Sequence, residues 1–322
     1  MKNNNKNIHN YLTAPMVVLA FFSFLAVATW QIWGSIFWLI NFLYIGIFTA
    51  GGMTLYGALP SGKKLLGRRI PLFAVGLYLL AGMGVMGREN AQIEGFFFYV
   101  VGGFYAGTVI HYLVAKIVGP ILIHRTWCGW GCWTAMVIDL LPHKESSGRA
   151  PGKWEWLRYA HLTLSFVLVL VLWYGFSYSI REQPWDVAGL YWLLAGNGFY
   201  YGVAIGLAFM VRDNRAFCKY VCPITPFLKA TSLFSILRIK GNSESCTECG
   251  ECVRRCPMDI RITEYIKAGT RVLSTECTLC QTCIDACPTG ALRASVALDF
   301  GGKELLNESS GRAKSASDHA GP

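Results

Sequence analysis

Apolar residues fill the first part of this chain in runs too long for the elements of a water-soluble core, and then the runs stop. They fall at 12–33, 36–58, 70–87, 96–122, 157–180 and 190–211. A helix needs roughly 20 apolar residues to cross about 30 Å of hydrocarbon, so each run predicts one membrane span. The third is the shortest: Pro71 opens it, and Gly76, Gly82, Gly84 and Gly87 thin it. After Arg238-Ile239-Lys240 the pattern turns polar, and residues 241–298 hold no run that could enter a bilayer. Residues 299–322 have the composition of a disordered tail. The pattern predicts a polytopic α-helical membrane domain over 1–240 with about six spans, a small second domain over 241–298, and a tail over 299–322.

Composition agrees, at 53% apolar and 15% charged residues. Charge adds direction to the spans. Lys2 and Lys6 precede the first, and Lys63, Lys64, Arg68 and Arg69 lie between the second and third. Arg125, Lys144, Arg149, Lys153 and Arg158 lie between the fourth and fifth, and Arg212, Arg215 and Lys219 follow the sixth. The alternate connections carry Arg88 and Arg181 with Glu89, Glu94, Glu182 and Asp186. Under the positive-inside rule both termini are cytoplasmic in a multi-pass protein of the cell's cytoplasmic (inner) membrane. The same asymmetry accounts for the net charge of +10 and argues against nucleic acid as a partner, because the cations are spread over several loops. Lys2, Lys6 and Ala26-Val27-Ala28 mimic a cleavable signal peptide, but the apolar run continues through Trp33 and is read as a retained helix.

Cysteine spacing gives the polar domain its chemistry. Cys246, Cys249, Cys252 and Cys256-Pro257 follow C-x2-C-x2-C-x3-C-P, and Cys277, Cys280, Cys283 and Cys287-Pro288 repeat it. In this arrangement three close thiolates and the distant fourth of the other motif hold one 4Fe–4S cluster. Cys246, Cys249, Cys252 and Cys287 are therefore expected at one cluster, and Cys277, Cys280, Cys283 and Cys256 at the second. Gly250 and Gly290 stand where tight turns are needed. Zinc sites show paired C-x2-C rather than repeated triplets, and disulfides are rare in a reducing compartment. The domain is expected to be an α+β fold of the bacterial-ferredoxin kind.

Two further pairs sit at predicted membrane edges. Cys128 and Cys132, within T-W-C-G-W-G-C-W, follow the fourth run, while Cys218 and Cys222-Pro223 follow the sixth. Identical spacing on one predicted side favours a shared site for a further metal, cluster or redox pair over scattered structural cysteines. Trp127, Trp130 and Trp133 read first as interfacial anchors.

Helices, two C-x3-C(P) pairs and a terminal double-cluster domain resemble the NapH/NosR-type membrane polyferredoxins over residues 70–298. The resemblance implies quinol as electron donor and electron delivery to a respiratory or redox partner. It also implies a quinol-dehydrogenase type of subunit working with the membrane lipid and quinone pool. Trp133 stands where that family has proline, and six spans exceed the four usual in its smaller members. His111 in the fourth run and His161 near the start of the fifth are candidate proton acceptors for quinol oxidation. Lys116 is expected to snorkel to the surface. Gly103 with Gly107, and Gly202 with Gly206, predict close helix packing. Two other functions fit the motifs. One is a copper reductase, since soft thiolates suit Cu(I); the other is a non-catalytic anchoring or assembly subunit.

Overall fold

The structure, a computed structural model, describes residues 2–104, 107–146, 148–180 and 187–309, without the side chains of residues 2–11. Arg181, Glu182 and Asp186, with residues 310–322 of the expected tail, lie outside the described residues. The first helices are α1 (Lys2–Trp33), α2 (Ile36–Ala58) and α3 (Lys64–Met86), the last with wider π-type winding over Tyr78–Met86. Next come α4 (Ile93–Val101), α5 (Gly107–Ile123), α6 (Thr126–Trp130) and α7 (Trp133–Ile138). They are followed by α8 (Trp156–Gly175), α9 (Ala188–Val211), α10 (Ala216–Tyr220) and α11 (Thr225–Ser232). Among the described residues five helices are long and apolar enough to cross a membrane: α1, α2, α3, α8 and α9. The protein is thus mainly helical and of multi-pass membrane type.

The fourth expected span, 96–122, is not one helix. It divides at Gly102 and Gly103, where Gly103 takes φ +68° and a Cβ on Gly102 would meet the Trp173 ring at 2.8 Å. The new N-terminus at α5 is capped from an unexpected place. Glu89 accepts hydrogen bonds from the backbone N–H of Gly107 (3.3 Å) and Thr108 (2.9 Å), and from the Thr108 hydroxyl (3.1 Å). A carboxylate is favourable there because unpaired N–H groups give the helix start a positive end. Glu89 and Glu94 are therefore not external loop charges. Asn90, Gln92 and Glu94 are buried inside the helical bundle, with Gln92 Oε1 lying 1.9 Å from where a Cβ on Gly196 of α9 would be. Irregular backbone is tolerated within a membrane bundle where protein buries it.

Two more expectations change. Helix α3 starts six residues before the run at 70, because Arg68 is buried in an ion pair with Asp139 and need not remain in water. Gly103 forms a turn, and a Cβ added to Gly202 or Gly206 would meet no atom within 4 Å, so of the residues foreseen in close helix packing only Gly107 has it, 3.0 Å from Met83 Cε. Close packing occurs instead between α2 and α3. A Cβ on Gly52 would lie 2.3 Å from Pro71 Cδ, and one on Gly67 would lie 2.3 Å from the Tyr56 backbone nitrogen. Because backbone cannot yield as a flexible side chain does, Gly67→Leu is expected to destabilise the bundle by at least about 1–3 kcal/mol. A lower melting temperature in detergent checks this, with Gly202→Leu as a neutral control.

The terminal domain is built on β1 (Leu237–Gly241) paired antiparallel with β2 (Leu292–Val296), from Leu237 opposite Val296 to Gly241 opposite Leu292. Short helices α12 (Glu251–Arg254), α13 (Ile262–Lys267) and α14 (Thr282–Ala286) complete it. Its core mixes Ile239, Met258, Ile260, Tyr265 and Ile266 with Cys252, Cys256 and Cys283, so the interior is assembled around thiols. Residues 299–309, expected in the disordered tail, are ordered against this domain. Gly302 N–H donates to Leu273 O (2.8 Å), Asn307 N–H to Asp259 O (2.7 Å), and Arg149 N–H to Asn307 O (2.8 Å). These bonds arise from backbone pairing, which composition does not record.

Candidate electron-transfer site

Backbone winding repeats in the two ferredoxin motifs. Glu248 and Gly250 flank Cys249 with φ of 56° and 74°, and Leu279 and Gln281 flank Cys280 with φ of 46° and 59°. Asp259 and Gly290, each three residues beyond a C-P cysteine, are also left-handed, at 57° and 64°. Only two of the six are glycine, although left-handed backbone costs an ordinary residue on the order of 1–2 kcal/mol. The strain is held because the turns aim their cysteines inward. Cys256, Cys277, Cys280 and Cys283 line one cavity; Cys246, Cys249, Cys252 and Cys287 line another. The crossed quartets expected from spacing are brought together in space.

The chemistry of these cavities fits the iron–sulfur group. Burial pushes Cys256 and Cys277 up to about 12, and Cys252 up to about 11. Around Cys287 burial acts the same way but is outweighed by the Thr289 hydroxyl and the N–H groups of Ala291, Thr289 and Gly290, so that thiol ionises more easily than usual. Four mostly apolar-walled thiolates need a strongly positive centre to offset their charge. Among the described residues, no three or more His, Cys, Asp or Glu side chains are placed to hold a single metal ion. The quartets surround a volume rather than a point, as a cubane requires.

The membrane-edge thiols form a third group. Helix α5 ends where His124 turns left-handed (φ 56°), and α6 then carries Cys128, with Cys132 at the start of α7. Helix α9 ends on left-handed Arg212, and α10 carries Cys218, with Cys222 just beyond. These two corners face each other: Cys218 is within electrostatic reach of Cys222, Cys132 and Cys128, and Cys222 of Cys128 and Cys132. Burial raises Cys218 to about 12 despite the nearby Arg215 guanidinium. None of the cysteines is in a disulfide.

Sequence reasoning missed what holds the corners. Arg215 donates to Cys128 O (3.1 Å) and pairs with Asp139 (2.6 Å), while Arg68 pairs with the same carboxylate (2.8 Å) and donates to Gly129 O (2.8 Å). Burial disfavours a charged Asp139, but Arg215 and Arg68 outweigh it and hold its carboxyl below the usual range. Lys219, between the two cysteines of its pair, bonds Asp213 (2.5 Å) and Asp259 beyond Cys256. Cations that read as loop charges for orientation are thus largely buried: Arg125, Arg158 and Lys219 are at most 1% exposed. Pairing with distant acids made this invisible in the chain.

The third quartet abuts the ferredoxin domain. A Cβ on Gly129 would sit 2.6 Å from Thr278 O and 3.2 Å from Cys280 Cα. Beside it Trp130 Nε1 donates to Leu279 O (3.0 Å), and Tyr56 Oη donates to Gln281 O (3.0 Å). Trp130 is consequently a domain clamp as well as a bulky edge residue. The order from the bundle outward is the edge quartet, then Cys256/Cys277/Cys280/Cys283, then Cys246/Cys249/Cys252/Cys287 with Cys249 exposed. Gly129→Val is expected to force the two loops apart, broadening the spectrum of the inner cluster while leaving that of the outer one; electron paramagnetic resonance of the reduced protein reads this directly.

Both candidate histidines approach the edge quartet. The His111 ring lies 5.1 Å from that of Trp127 and 6.1 Å from that of Trp133, and His161 Nδ1 is 2.9 Å from Val221 O. Lys116 does not snorkel: it is 6% exposed, with Nζ 5.3 Å from the Trp127 ring centre.

Residues 245–292 match the family model described as a 4Fe-4S dicluster domain. The chain is 29% identical over 172 residues to YccM of Escherichia coli, whose name provisionally places it in electron transport; the match covers 49% of this chain and 48% of that protein. It is 26% identical to the uncharacterized protein MJ0749 of Methanocaldococcus jannaschii, over 52% of this chain and 65% of that protein. It is 28% identical to the methylamine utilization ferredoxin-type protein MauN of Methylobacillus flagellatus, over 50% of this chain and 60% of that one. The chain therefore spans about half to two-thirds of these relatives. No solved structure matches. Iron–sulfur chemistry and a part in electron transfer are supported by these likenesses.

Proposed function

We propose that this protein is a membrane electron-transfer subunit of the NapH/NosR-type polyferredoxin kind, taking electrons from the quinol pool for a redox partner. In this reading both termini lie on the cytoplasmic side of the cell's inner membrane, which takes α4 and α5 together as a sixth crossing beside the five long helices. The observation that carries it is the close backbone approach of Gly129, which lies between Cys128 and Cys132, to Cys280 of the inner ferredoxin quartet.

Cys246, Cys249, Cys252 and Cys287 would hold one 4Fe–4S cluster, and Cys277, Cys280, Cys283 and Cys256 the other; Cys128, Cys132, Cys218 and Cys222 would hold a further iron–sulfur centre or act as a redox site. When bound, these groups supply one-electron carriage, which no side chain here can provide alone. The polypeptide contributes order and electrostatics. Arg125 and Arg215, fully buried beside the edge thiols, favour extra negative charge there. The apolar walls exclude water from the inner cavity, and the exposed edge at Cys249 leaves the outer quartet open to a partner.

Anaerobic purification with iron and sulfide analysis, followed by addition of quinol, tests this. Two clusters require about eight iron atoms per chain, and a third cluster would raise this to about twelve. Spectral reduction by quinol is the expected result. Zinc in place of iron would overturn the ferredoxin assignment, copper bound at the edge thiols would favour a metal reductase, and intact clusters that quinol never reduces would favour an anchoring role.

A further inference from the structure

Glu94 is a carboxylate buried within the apolar bundle, on the short helix α4 that the sequence pattern had merged into a longer span. Ser165 of α8 donates to its Oε1 (2.7 Å), and among the described residues no ion pair neutralises it. Burying an unpaired carboxylate is costly, and ionisable groups retained at such positions serve a function by default. Around it stand Tyr112 of α5 and Tyr200 of α9. Glu94, Cys222 and Cys132 are all within electrostatic reach of the Tyr112 hydroxyl, and Glu94, Tyr112 and Cys222 within that of Tyr200. Phe96 stacks on Tyr112 with ring centres 4.5 Å apart. The Tyr200 hydroxyl is buried with no hydrogen-bond partner, and the His111 Nε2 is likewise unpartnered and buried. Buried polar groups are ordinarily hydrogen-bonded, so two unpartnered ones in the same region are what a site for a polar ligand would show.

His161 completes the cluster. Its ring lies 5.5 Å from the Tyr200 ring, and its Nδ1 is 2.9 Å from Val221 O. A carbonyl can only accept, so Nδ1 carries the proton and the Nε2 lone pair is free. An aromatic wall, an unpaired hydroxyl and two separate proton acceptors thus converge beside Cys132 and Cys222.

We infer that Glu94, Tyr112, Tyr200 and His161 form the site where the head group of a quinol binds and loses its protons. The inference rests on the proposed function and deepens it. Tyr200 hydrogen-bonds a ring oxygen. Both O–H bonds of the quinol break: one proton forms an O–H bond on the Glu94 carboxylate, the other an N–H bond on His161 Nε2. The two electrons would pass to iron–sulfur centres held by the cysteine quartets, one each to two oxidised centres, leaving a quinone.

The test uses the full protein in lipid nanodiscs, anaerobically, with short-chain ubiquinol and menaquinol as donors and the matching quinones as binding probes. Glu94→Gln should slow quinol-driven cluster reduction on the order of 100-fold, as loss of a general base does. Its iron content, its reduction by dithionite and its quinone Kd should stay within about threefold of the original. Tyr200→Phe should weaken quinone binding, read by tryptophan fluorescence quenching, by up to about tenfold. Ser165→Ala should give a milder form of the Glu94→Gln defect. Wild-type rates in Glu94→Gln, or unchanged quinone affinity in Tyr200→Phe, would overturn the site. If the unaltered protein binds quinone through Tyr200 but quinol never reduces its clusters, the electron-transfer direction fails and the binding site stands. If it binds no quinone, the site itself is refuted.

Discussion

A Cys128→Ser or Cys222→Ser protein is expected to insert, to keep both ferredoxin clusters, and to lose their reduction by quinol down to the rate seen without quinol. Dithionite, which reaches the clusters from water, should still reduce them. The eight ferredoxin cysteines line their own two cavities, and no edge thiol lines either. Cys128 and Cys132 instead flank Gly129, whose backbone packs on Cys280, and Cys218 and Cys222 are within electrostatic reach of both. Loss of the ferredoxin clusters in either variant would mean that the corners serve assembly. Unchanged quinol reduction would return all four thiols to a packing role.

The second large effect is expected at Glu276, one residue before Cys277. Its carboxylate is fully buried and receives Lys229 (2.6 Å), Arg125 (3.0 Å), Arg158 (3.0 Å) and Arg149 (3.4 Å). Burial opposes its charge, but these four cations outweigh it and keep the carboxyl well below its ordinary range. All four belong to the helical domain, so this single ferredoxin glutamate ties the two domains together. Glu276→Ala leaves three buried arginines and the part-buried Lys229 short of a partner, and breaking a buried pair this way costs about 3–5 kcal/mol. The variant should melt at lower temperature and release the terminal domain to protease. Arg254→Ala, which removes exposed pairs with Glu145 and Glu251, should leave both measurements unchanged. Equal behaviour of the two variants would refute the anchoring role of Glu276.

Much of the architecture was legible along the chain because it depends on local pattern. Long apolar runs predict spans, since desolvating a helix is decided by its own side chains. The repeated C-x2-C-x2-C-x3-C-P spacing places three thiols within one short loop whatever surrounds it. The crossing of Cys256 and Cys287 to opposite quartets also followed from the motif, and the cavities group them that way.

Other features depended on groups far apart in sequence. The run at 96–122 reads as one span by hydropathy alone. It divides because Gly102–Gly103 can turn and because Glu89, eighteen residues before Gly107, caps the helix that follows. Arg68, Arg125, Arg158 and Lys219 look like solvated loop cations until Asp139, Glu276, Asp213 and Asp259 meet them in the fold. Hydropathy assigns Glu94 to an outer loop, and only the packing of α4 against α8 buries it beside Ser165. Residue type sets what each group can do; burial and partners, which arise when distant segments pack and exclude water, select what it does.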